Sequence, residues 1–347
     1  MNFPEEQVLT TLVELMQIQS PSGHTEHAIQ YVGRRLTKAG LQPVFTNKGG
    51  VLVTIKGEND IKHRFVTAHV DTLGAMVKEI KEDGCLKLSK IGGFGWFSVD
   101  GAYCFVETRK GEVFTGTILA SHTSVHVYHD AEKQERSDEN MEVRLDVRAG
   151  SREEIEALGI RVGDFVSFDP SVVQTDTGFV KARHLDDKAS VAVMLELLNH
   201  LQESGAKLPY TTHFYFSNFE EVGFGANAGI PASVCEYVSV DMGATGEGQA
   251  SDEFNVSICA KDGSGPYHYG LTNHLIRLAE EHHIAYQVDI YPHYASDASA
   301  AVRAGYDVKH ALIGPGVDAS HAYERTHRDA LENTYLLLYH YLLSNMA

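Results

Sequence analysis

The pattern of apolar and polar residues changes along the chain and first indicates an α/β layer. Apolar residues recur at helical spacing over 6–16, which predicts a helix, and a second amphipathic helix is expected over 26–38. The short apolar or β-branched runs at 51–55 and 64–68 predict buried strands. Helices followed by buried strands favour an α/β arrangement with a mixed or parallel sheet.

From about residue 73 to residue 170 the pattern becomes β-rich. Short alternating runs at 85–88, 111–114 and 165–168 are separated by glycine and aspartate, and strong helix signals are few. We therefore predict an inserted β-rich, barrel-like domain. The charged run 130–146 inside it is interpreted as a solvated excursion.

After Gly178 the α/β pattern returns. The predicted elements are an almost wholly apolar helix at 189–198, strands at 211–219 and 237–240, and helices at 269–282, 298–304 and 333–343. No internal repeat is evident. The predicted fold class is therefore α/β, with a mixed sheet flanked by helices in a discontinuous catalytic domain (1–72 and 171–347) that is interrupted by a β-rich domain (73–170).

Composition excludes several classes of partner. The chain has 29 Lys and Arg against 47 Asp and Glu, a net charge of −18 that repels nucleic acid and anionic membranes. No apolar run approaches the ~18 residues of a membrane span, and the first residues do not resemble a secretory signal. The 4 cysteines are scattered and are expected to be reduced. We expect a soluble, cytoplasmic protein.

Candidate chemistry lies in five polar clusters, each of which follows an apolar strand-like run or a glycine-rich loop. An α/β sheet presents residues to its crevice at such strand ends. Histidine nitrogen and carboxylate oxygen suit zinc, cobalt or manganese, and two ions could be held if one carboxylate bridged them. The clusters are His69-Val70-Asp71, Leu185-Asp186-Asp187-Lys188, Glu220-Glu221-Val222-Gly223, Asp241 and His321.

Taken singly, most of these clusters have structural explanations. His-x-Asp is common by chance, although His69 and Asp71 would project to the same side of a strand, where Asp71 could orient the imidazole. Asp186 could simply cap the following helix. The adjacent Glu220 and Glu221 are more informative, because burying two carboxylates is costly unless cations or protons compensate.

In their order along the chain, these clusters resemble those of the tetrahedral aminopeptidases, metallopeptidase family forty-two. That family includes glutamyl and deblocking aminopeptidases, and some relatives are named endoglucanase or cellulase. It has a His-x-Asp, a Leu-Asp-(Asp/Asn)-(Arg/Lys), a Glu-Glu-x-Gly, a strand-terminal Asp and a late His-containing loop, around an inserted barrel-like dimerisation domain. The resemblance covers nearly the whole chain.

The resemblance implies a metal-dependent aminopeptidase that acts on peptides with a free N-terminus. It implies two divalent ions per chain, zinc or cobalt, with Asp186 bridging them, Glu220 as general base and Asp71 orienting a histidine. It also implies self-association through the insert, into a dimer or a dodecamer built from dimers. The implied metal ligands are His69, Asp186, Glu221, Asp241 and His321.

Other interpretations remain open. Gly223, Gly225 and Ala228 fit the Gly-x-Gly-x-x-Ala fingerprint of an NAD-type oxidoreductase, with Asp241 following 18 residues after Gly223. Pro231, however, would interrupt the long helix that this fold requires. An endoglucanase-named or catalytically inactive relative would carry the same motifs.

Three further positions qualify the resemblance. The family places Asp297 near substrate, although Ser296-Asp297-Ala298 could equally begin a helix. His122 opens a histidine-rich run, 122–129, which could reach a partner's active site or form a polar sheet edge. The family usually has Glu where this chain has Thr72, so the preferred N-terminal residue is not predicted.

Overall fold

The computed structural model describes residues 3–347 and contains seven α-helices. Within these residues, no helix combines the length and the apolar character needed to cross a bilayer. The helices are α1 (Glu5–Met16), α2 (Glu26–Lys38), α3 (Arg152–Ala157), α4 (Leu185–Ser204), α5 (Tyr269–Glu281), α6 (Asp297–Arg303) and α7 (Arg328–Leu343).

The strands, together with two short 3₁₀ turns at Trp96–Ser98 and Glu220–Val222, make up the rest of the regular structure. The strands are β1 (Val44–Phe45), β2 (Val51–Ile55), β3 (Gly57–His69), β4 (Gly74–Ile80), β5 (Leu86–Ile91), β6 (Tyr103–Glu107), β7 (Val113–Ala120), β8 (Met141–Leu145), β9 (Phe165–Phe168), β10 (Val173–Gln174), β11 (Phe179–Ala182), β12 (Leu208–Ser217), β13 (Val234–Val240), β14 (Gly243–Ala244), β15 (Val256–Asp262), β16 (Gly265–Pro266), β17 (Tyr286–Ile290), β18 (Lys309–Val317) and β19 (Glu324–His327).

The main sheet is mixed and has ten strands. Its order is β1-β2-β12-β3-β13-β18-β15-β16, with β14 beside β18 and β17 beside β15. The four central strands, β12, β3, β13 and β18, run parallel, and Ser217 at the end of β12 lies opposite His69 at the end of β3. The carboxyl ends of these four strands therefore meet at one edge of the sheet.

Both faces of the sheet are covered, which explains why its central strands are almost continuously apolar. Alternate residues point to opposite faces: Phe214 and Phe216 belong to the core that α1, α2, α4, α5 and α7 share, whereas Tyr215 packs in a second core with Ala298 and Ala301 of α6. The sheet is thus held between helical layers, with α6 on the face opposite α4.

A closed six-stranded barrel interrupts the α/β region, as the alternating pattern predicts. Its strands follow the order β4-β5-β8-β7-β6-β9 and enclose a separate hydrophobic core. They begin at Gly74 and end at Phe168, so the barrel lies within the predicted insert. The α/β fold class with a barrel-like insertion is confirmed, and a three-stranded sheet of β10, β11 and β19 lies apart from both.

Most predicted elements are present. Strands β15, β17 and β18 were not predicted, and the interpretation of the charged run 130–146 is wrong. The helix over 26–38 and the strand over 51–55 have the predicted bounds. Residues 141–145, however, form the barrel strand β8, with Met141, Val143 and Leu145 buried and Arg144 exposed. The high density of charge on the outward face of this strand concealed its alternation.

Candidate active site

The parallel strand ends bring the predicted site residues together. His69 is the last residue of β3, Glu220 and Glu221 follow β12 in a 3₁₀ turn, and Asp241 directly follows β13. His321 comes from the loop after β18. Asp186 reaches the same edge from the first turn of α4, where the Asp186–Asp187 peptide bond is cis.

Asp186 lies between the two histidines. Its Oδ1 is 3.0 Å from Nε2 of His69, and its Oδ2 is 3.3 Å from Nε2 of His321. Each oxygen of this one carboxylate therefore faces a different imidazole. The carboxylate of Asp186 thus lies between two groups of potential metal ligands.

Two groups of potential metal ligands surround this carboxylate. In each group the ligand atoms lie within 4.8 Å of one another. Glu221 Oε2 is 3.5 Å from His321 Nε2, Asp241 Oδ2 is 3.9 Å from His69 Nε2, and Glu220 Oε2 is 3.7 Å from the same nitrogen. The first group is His69, Glu220 and Asp241, and the second is Asp186, Glu221 and His321.

The electrostatics of the cluster favour added positive charge. Burial, with repulsion from neighbouring carboxylates, raises the pKa of Glu220 and of Glu221 well above the usual range and that of Asp241 to about 7. Burial disfavours the charged imidazolium of His321, but Glu221 and Asp186 raise its pKa to about 11. A buried excess of carboxylates with imidazole nitrogens among them is a donor set that fits divalent zinc or cobalt.

Asp71 holds both the histidine and the glutamate turn. Its Oδ1 lies 3.4 Å from Nδ1 of His69 and accepts the Glu220 N–H at 3.1 Å, while its Oδ2 accepts the Glu221 N–H at 3.3 Å. The Ser22 hydroxyl also donates to Oδ2, at 2.5 Å. The His-x-Asp spacing predicted the contact of Asp71 with His69, but no motif indicated its contacts with Glu220, Glu221 and Ser22.

Glu324 is a site residue that the sequence analysis did not identify. This buried carboxylate accepts the backbone N–H of Asp186 at 3.1 Å and the backbone N–H of His321 at 2.9 Å. It lies 138 residues from Asp186 along the chain, and no motif connects the two. The pairing of β19 with β11 brings it to this position.

The barrel also contributes to the site. The carbonyl oxygen of Gly93, in the loop after β5, accepts a hydrogen bond from Nδ1 of His321 at 2.5 Å. This contact directs Nε2 of His321 towards Asp186, because the two ring nitrogens point to opposite sides.

A cavity of about 600 Å³ opens beside the carboxylate cluster. Asp297 lines it and accepts hydrogen bonds from the Ser217 hydroxyl at 2.5 Å and from the Ala226 N–H at 2.8 Å. Ser296, and not Asp297, caps α6 through a reciprocal pair of hydrogen bonds with Ser299. The capping interpretation is confirmed at Ser296, and the placement of Asp297 near substrate stays a prediction.

Two other motifs lie outside this chemistry. The segment 223–233, all of it described, contains neither helix nor strand, so the glycine fingerprint at Gly223 does not open a dinucleotide-binding helix. His122 stacks on Tyr128 with ring centroids 4.2 Å apart and contacts Asp130 at 3.1 Å. These contacts of His122 are made within its own exposed loop.

Comparison with known proteins identifies the family. A sequence model described as M42 glutamyl aminopeptidase matches residues 49–337. A Bacillus subtilis protein named "Putative aminopeptidase YhfE" is 57% identical over 333 residues, which are 96% of each chain.

Solved structures show the same fold. Aminopeptidase APDkam598 from Desulfurococcus kamchatkensis superposes with a TM-score of 0.87 at 24% identity, covering 98% of this chain and 95% of that one. A Pyrococcus horikoshii TET1 peptidase, described as able to assemble into a tetrahedron or a large octahedral shell, gives 0.85 at 24% identity, covering 97% and 100%. The chain belongs to the M42 aminopeptidase family.

Proposed function

We propose that this protein is a dinuclear metallo-aminopeptidase that removes N-terminal residues from peptides with a free amine. The observation that carries the proposal is the position of Asp186, with one carboxylate oxygen facing His69 and the other facing His321. Membership of an aminopeptidase family supports the reaction class.

In this proposal five residues would hold two divalent ions, zinc or cobalt, and Asp186 would be the ligand that both share. When bound, the ions would polarise the peptide carbonyl and lower the pKa of the attacking water. The remaining ligands are His69 and Asp241 for one ion, and Glu221 and His321 for the other.

Glu220 is the proposed general base. Its carboxylate faces His69, and its backbone N–H is held by Asp71. Burial raises its pKa well above the usual range, which favours uptake of a proton from water. It accepts a proton from the water whose oxygen bonds to the carbonyl carbon. It then donates that proton to the amine nitrogen as the carbon–nitrogen bond breaks.

Asp71 supports this step through position. Its carboxylate accepts from the backbone N–H groups of Glu220 and Glu221, and its backbone carbonyl oxygen lies 3.0 Å from Nδ1 of His69, so one residue fixes the base and two ligands. Misplacement of a base by about 1 Å can cost ~10²-fold in rate, so such anchoring contributes directly to turnover.

The proposal extends to domains, assembly and location. Residues 73–170 would form the self-association domain between the catalytic segments 1–72 and 171–347, giving a homo-oligomer built from dimers. The P. horikoshii TET1 peptidase, which has the same fold, assembles into large shells. Phe97 and Tyr103 in the barrel are 76% and 68% exposed, which suits contact with a second copy. We further propose a cytoplasmic location, with no nucleic-acid or membrane partner.

Metal content and substrate range test the proposal together. We expect about two divalent ions per chain, lost on chelation, and cleavage of aminoacyl anilides with a free amine but not of their N-acetyl forms. Activity should return when zinc or cobalt is restored. Carboxymethyl cellulose should not be cleaved, and cleavage of it alone would identify a glycosidase.

Glu220→Gln tests the base. This variant should retain its metal and lose about 10²- to 10⁴-fold in turnover, because the amide cannot accept the proton. Glu203→Gln, the same change on the exposed end of α4, is the matched control and should keep full activity. Full activity in Glu220→Gln would refute the assigned base, and metal content near zero would refute the dinuclear site.

A further inference from the structure

One arginine lies on the wall of the acidic cavity. Among the lining residues, all within the described part of the chain, Arg303 is the only Lys or Arg, against five carboxylates. Over residues 3–347, no carboxylate oxygen lies within 4.0 Å of its guanidinium. Arg325 and Arg328, in contrast, pair with Glu253 and Glu5.

Arg303 lies at the far end of a helix face that lines the cavity. Asp297, Ala300 and Arg303 all line the cavity, and their spacing of three residues puts them on one side of α6. Asp297 is anchored next to the carboxylate cluster through Ser217. At 1.5 Å per residue, the backbone of Arg303 lies about 9 Å further along the helix.

The space between these two ends can accept part of a substrate. Ala300, with only a methyl group, separates Asp297 from Arg303 on the lining face. Tyr291 and Met242 also line the cavity, which gives the space an apolar wall. A ligand that extends from the carboxylate cluster along α6 therefore meets a short apolar stretch and then a guanidinium.

We propose that Arg303 binds a carboxylate of the substrate and makes the enzyme selective for it. The proposal rests on the aminopeptidase function above and specifies its substrate class. A guanidinium without a protein partner can form two parallel hydrogen bonds to a carboxylate. That carboxylate is either the side chain of an acidic N-terminal residue or the C-terminus of a short peptide.

The first experiment separates these two sources. One arm compares kcat/KM for glutamyl and glutaminyl anilides, which differ by a single charge at nearly constant shape. The other arm compares the tripeptide Leu-Gly-Gly with its C-terminal amide. We expect one of the two ratios to favour the carboxylate in the wild-type protein and to fall about tenfold in Arg303→Gln. Arg303→Glu should reverse the same ratio.

Arg148→Gln is the matched control, because it removes an exposed arginine of the barrel, far from the cavity lining. It should leave both ratios as in the wild type. Equal ratios in the wild type and in Arg303→Gln, in both arms, would overturn the proposal. In that case the arginine would serve only as a cation at the C-terminal end of α6, where it interacts favourably with the helix dipole.

A binding measurement distinguishes failure of this proposal from failure of the proposed function. If no free-amine substrate is cleaved, the aminopeptidase proposal fails. The role of Arg303 is then decided by calorimetry, which compares the binding of glutamate with that of glutamine, and the binding of Gly-Gly-Gly with that of its C-terminal amide. Weaker binding of a carboxylate form to Arg303→Gln, with its amide partner unaffected, would support the assignment. Equal affinities of both proteins for every compound would refute it.

Discussion

Carboxylates occupy two different positions around Asp186. Glu221 and Asp241 point their oxygens at the histidines, whereas Asp71 and Glu324 accept backbone N–H groups and so hold the chain. Each carboxylate oxygen of Asp71 and Glu324 has a hydrogen-bond donor, which offsets part of the cost of burying it, although burial still raises the pKa of Glu324 to about 8. The carboxylates that hold the backbone therefore determine where the carboxylates that face the histidines can lie.

Glu324→Gln tests the role of a carboxylate that holds the backbone. The contacts of Glu324 leave neither of its oxygens facing a bound ion. Both of its oxygens accept N–H groups, from Asp186 and His321, and the amide can replace only one of these acceptors. We expect metal affinity to fall about 10- to 100-fold, as for other residues that orient ligands. Competition titration against a chelator measures this loss.

Glu253→Gln is the control for that experiment. Glu253 also lies close to β19 and pairs with Arg325 at 3.1 Å, but it has no contact with the backbone of Asp186 or His321. Its substitution should leave metal affinity within about twofold of the wild type, since a partly exposed pair contributes little. Equal affinities in all three proteins would refute the role assigned to Glu324.

At the scale of single residues, the sequence indicated the candidate metal-binding and catalytic side chains but not the residues that hold them in place. His69, Asp241 and the Glu220-Glu221 pair could be identified because each ends an apolar run. Glu324 could not, since its function depends on the pairing of two strands remote in sequence. A side chain that accepts hydrogen bonds from distant backbone N–H groups has no recognisable sequence motif.

Between elements, the barrel loop 92–95 connects the insert to the site. Gly93 holds the ring of His321 through its carbonyl, and Gly92 beside it has a φ of +78°. A Cβ at Gly92 would lie 2.5 Å from Leu73 Cδ2 and 3.5 Å from the Glu221 carbonyl oxygen. The loop therefore has little freedom to move without disturbing Glu221 or His321.

Gly92→Ala should separate activity from stability when it is compared with Gly101→Ala. Both positions have positive φ, +78° and +83°, so backbone strain alone costs each alanine about 1 kcal/mol of unfolding free energy. Only the methyl group added at Gly92 would also have neighbouring atoms within 4 Å. We expect a tenfold or so loss of kcat in Gly92→Ala.

Turnover and urea denaturation, measured on the same preparations, check this prediction. Gly101→Ala should lose stability while it keeps its turnover, because nothing lies within 4 Å of the added methyl group. If both variants lose activity equally, backbone strain alone is responsible, and loop 92–95 does not position His321.

Element prediction succeeded where one face of a strand or helix was uniformly apolar. The bounds of α2 match the prediction because its buried positions recur at helical spacing. Strand β8 was missed because its exposed face carries Glu142 and Arg144 within a longer charged run. In β8 a high density of charged residues coexists with alternation of buried and exposed positions. The charge density led to the wrong prediction of a solvated segment.

For the molecule as a whole, the parallel order β12-β3-β13-β18 has the greatest functional consequence. The sequence indicated an α/β layer and a barrel, but not the strand order, because order depends on crossovers between distant segments. That order gathers the carboxylates of several distant segments at one edge of a chain that already carries a net charge of −18. Bound cations should therefore stabilise the entire fold.

The difference in unfolding free energy between metal-loaded and chelated protein measures this stabilisation. At pH 7.5 we expect it to be about 3 kcal/mol when free metal exceeds the dissociation constant 100-fold. It should shrink as the pH falls to 5.5. In the chelated protein, burial raises the pKa of Asp241 to about 7, above its unfolded value, so the folded state gains protons and stability as the pH falls.

The stabilisation by bound ions decreases as the pH falls, because protons compete for the same oxygens and nitrogens. Taking the difference cancels the contribution of buried histidines elsewhere, such as His213, whose pKa burial lowers to about 4. In Asp241→Asn, the chelated protein should lose part of its gain in stability at low pH, since one proton-binding carboxyl is gone. A difference that stays constant from pH 7.5 to 5.5 would show that cations do not bind at this cluster.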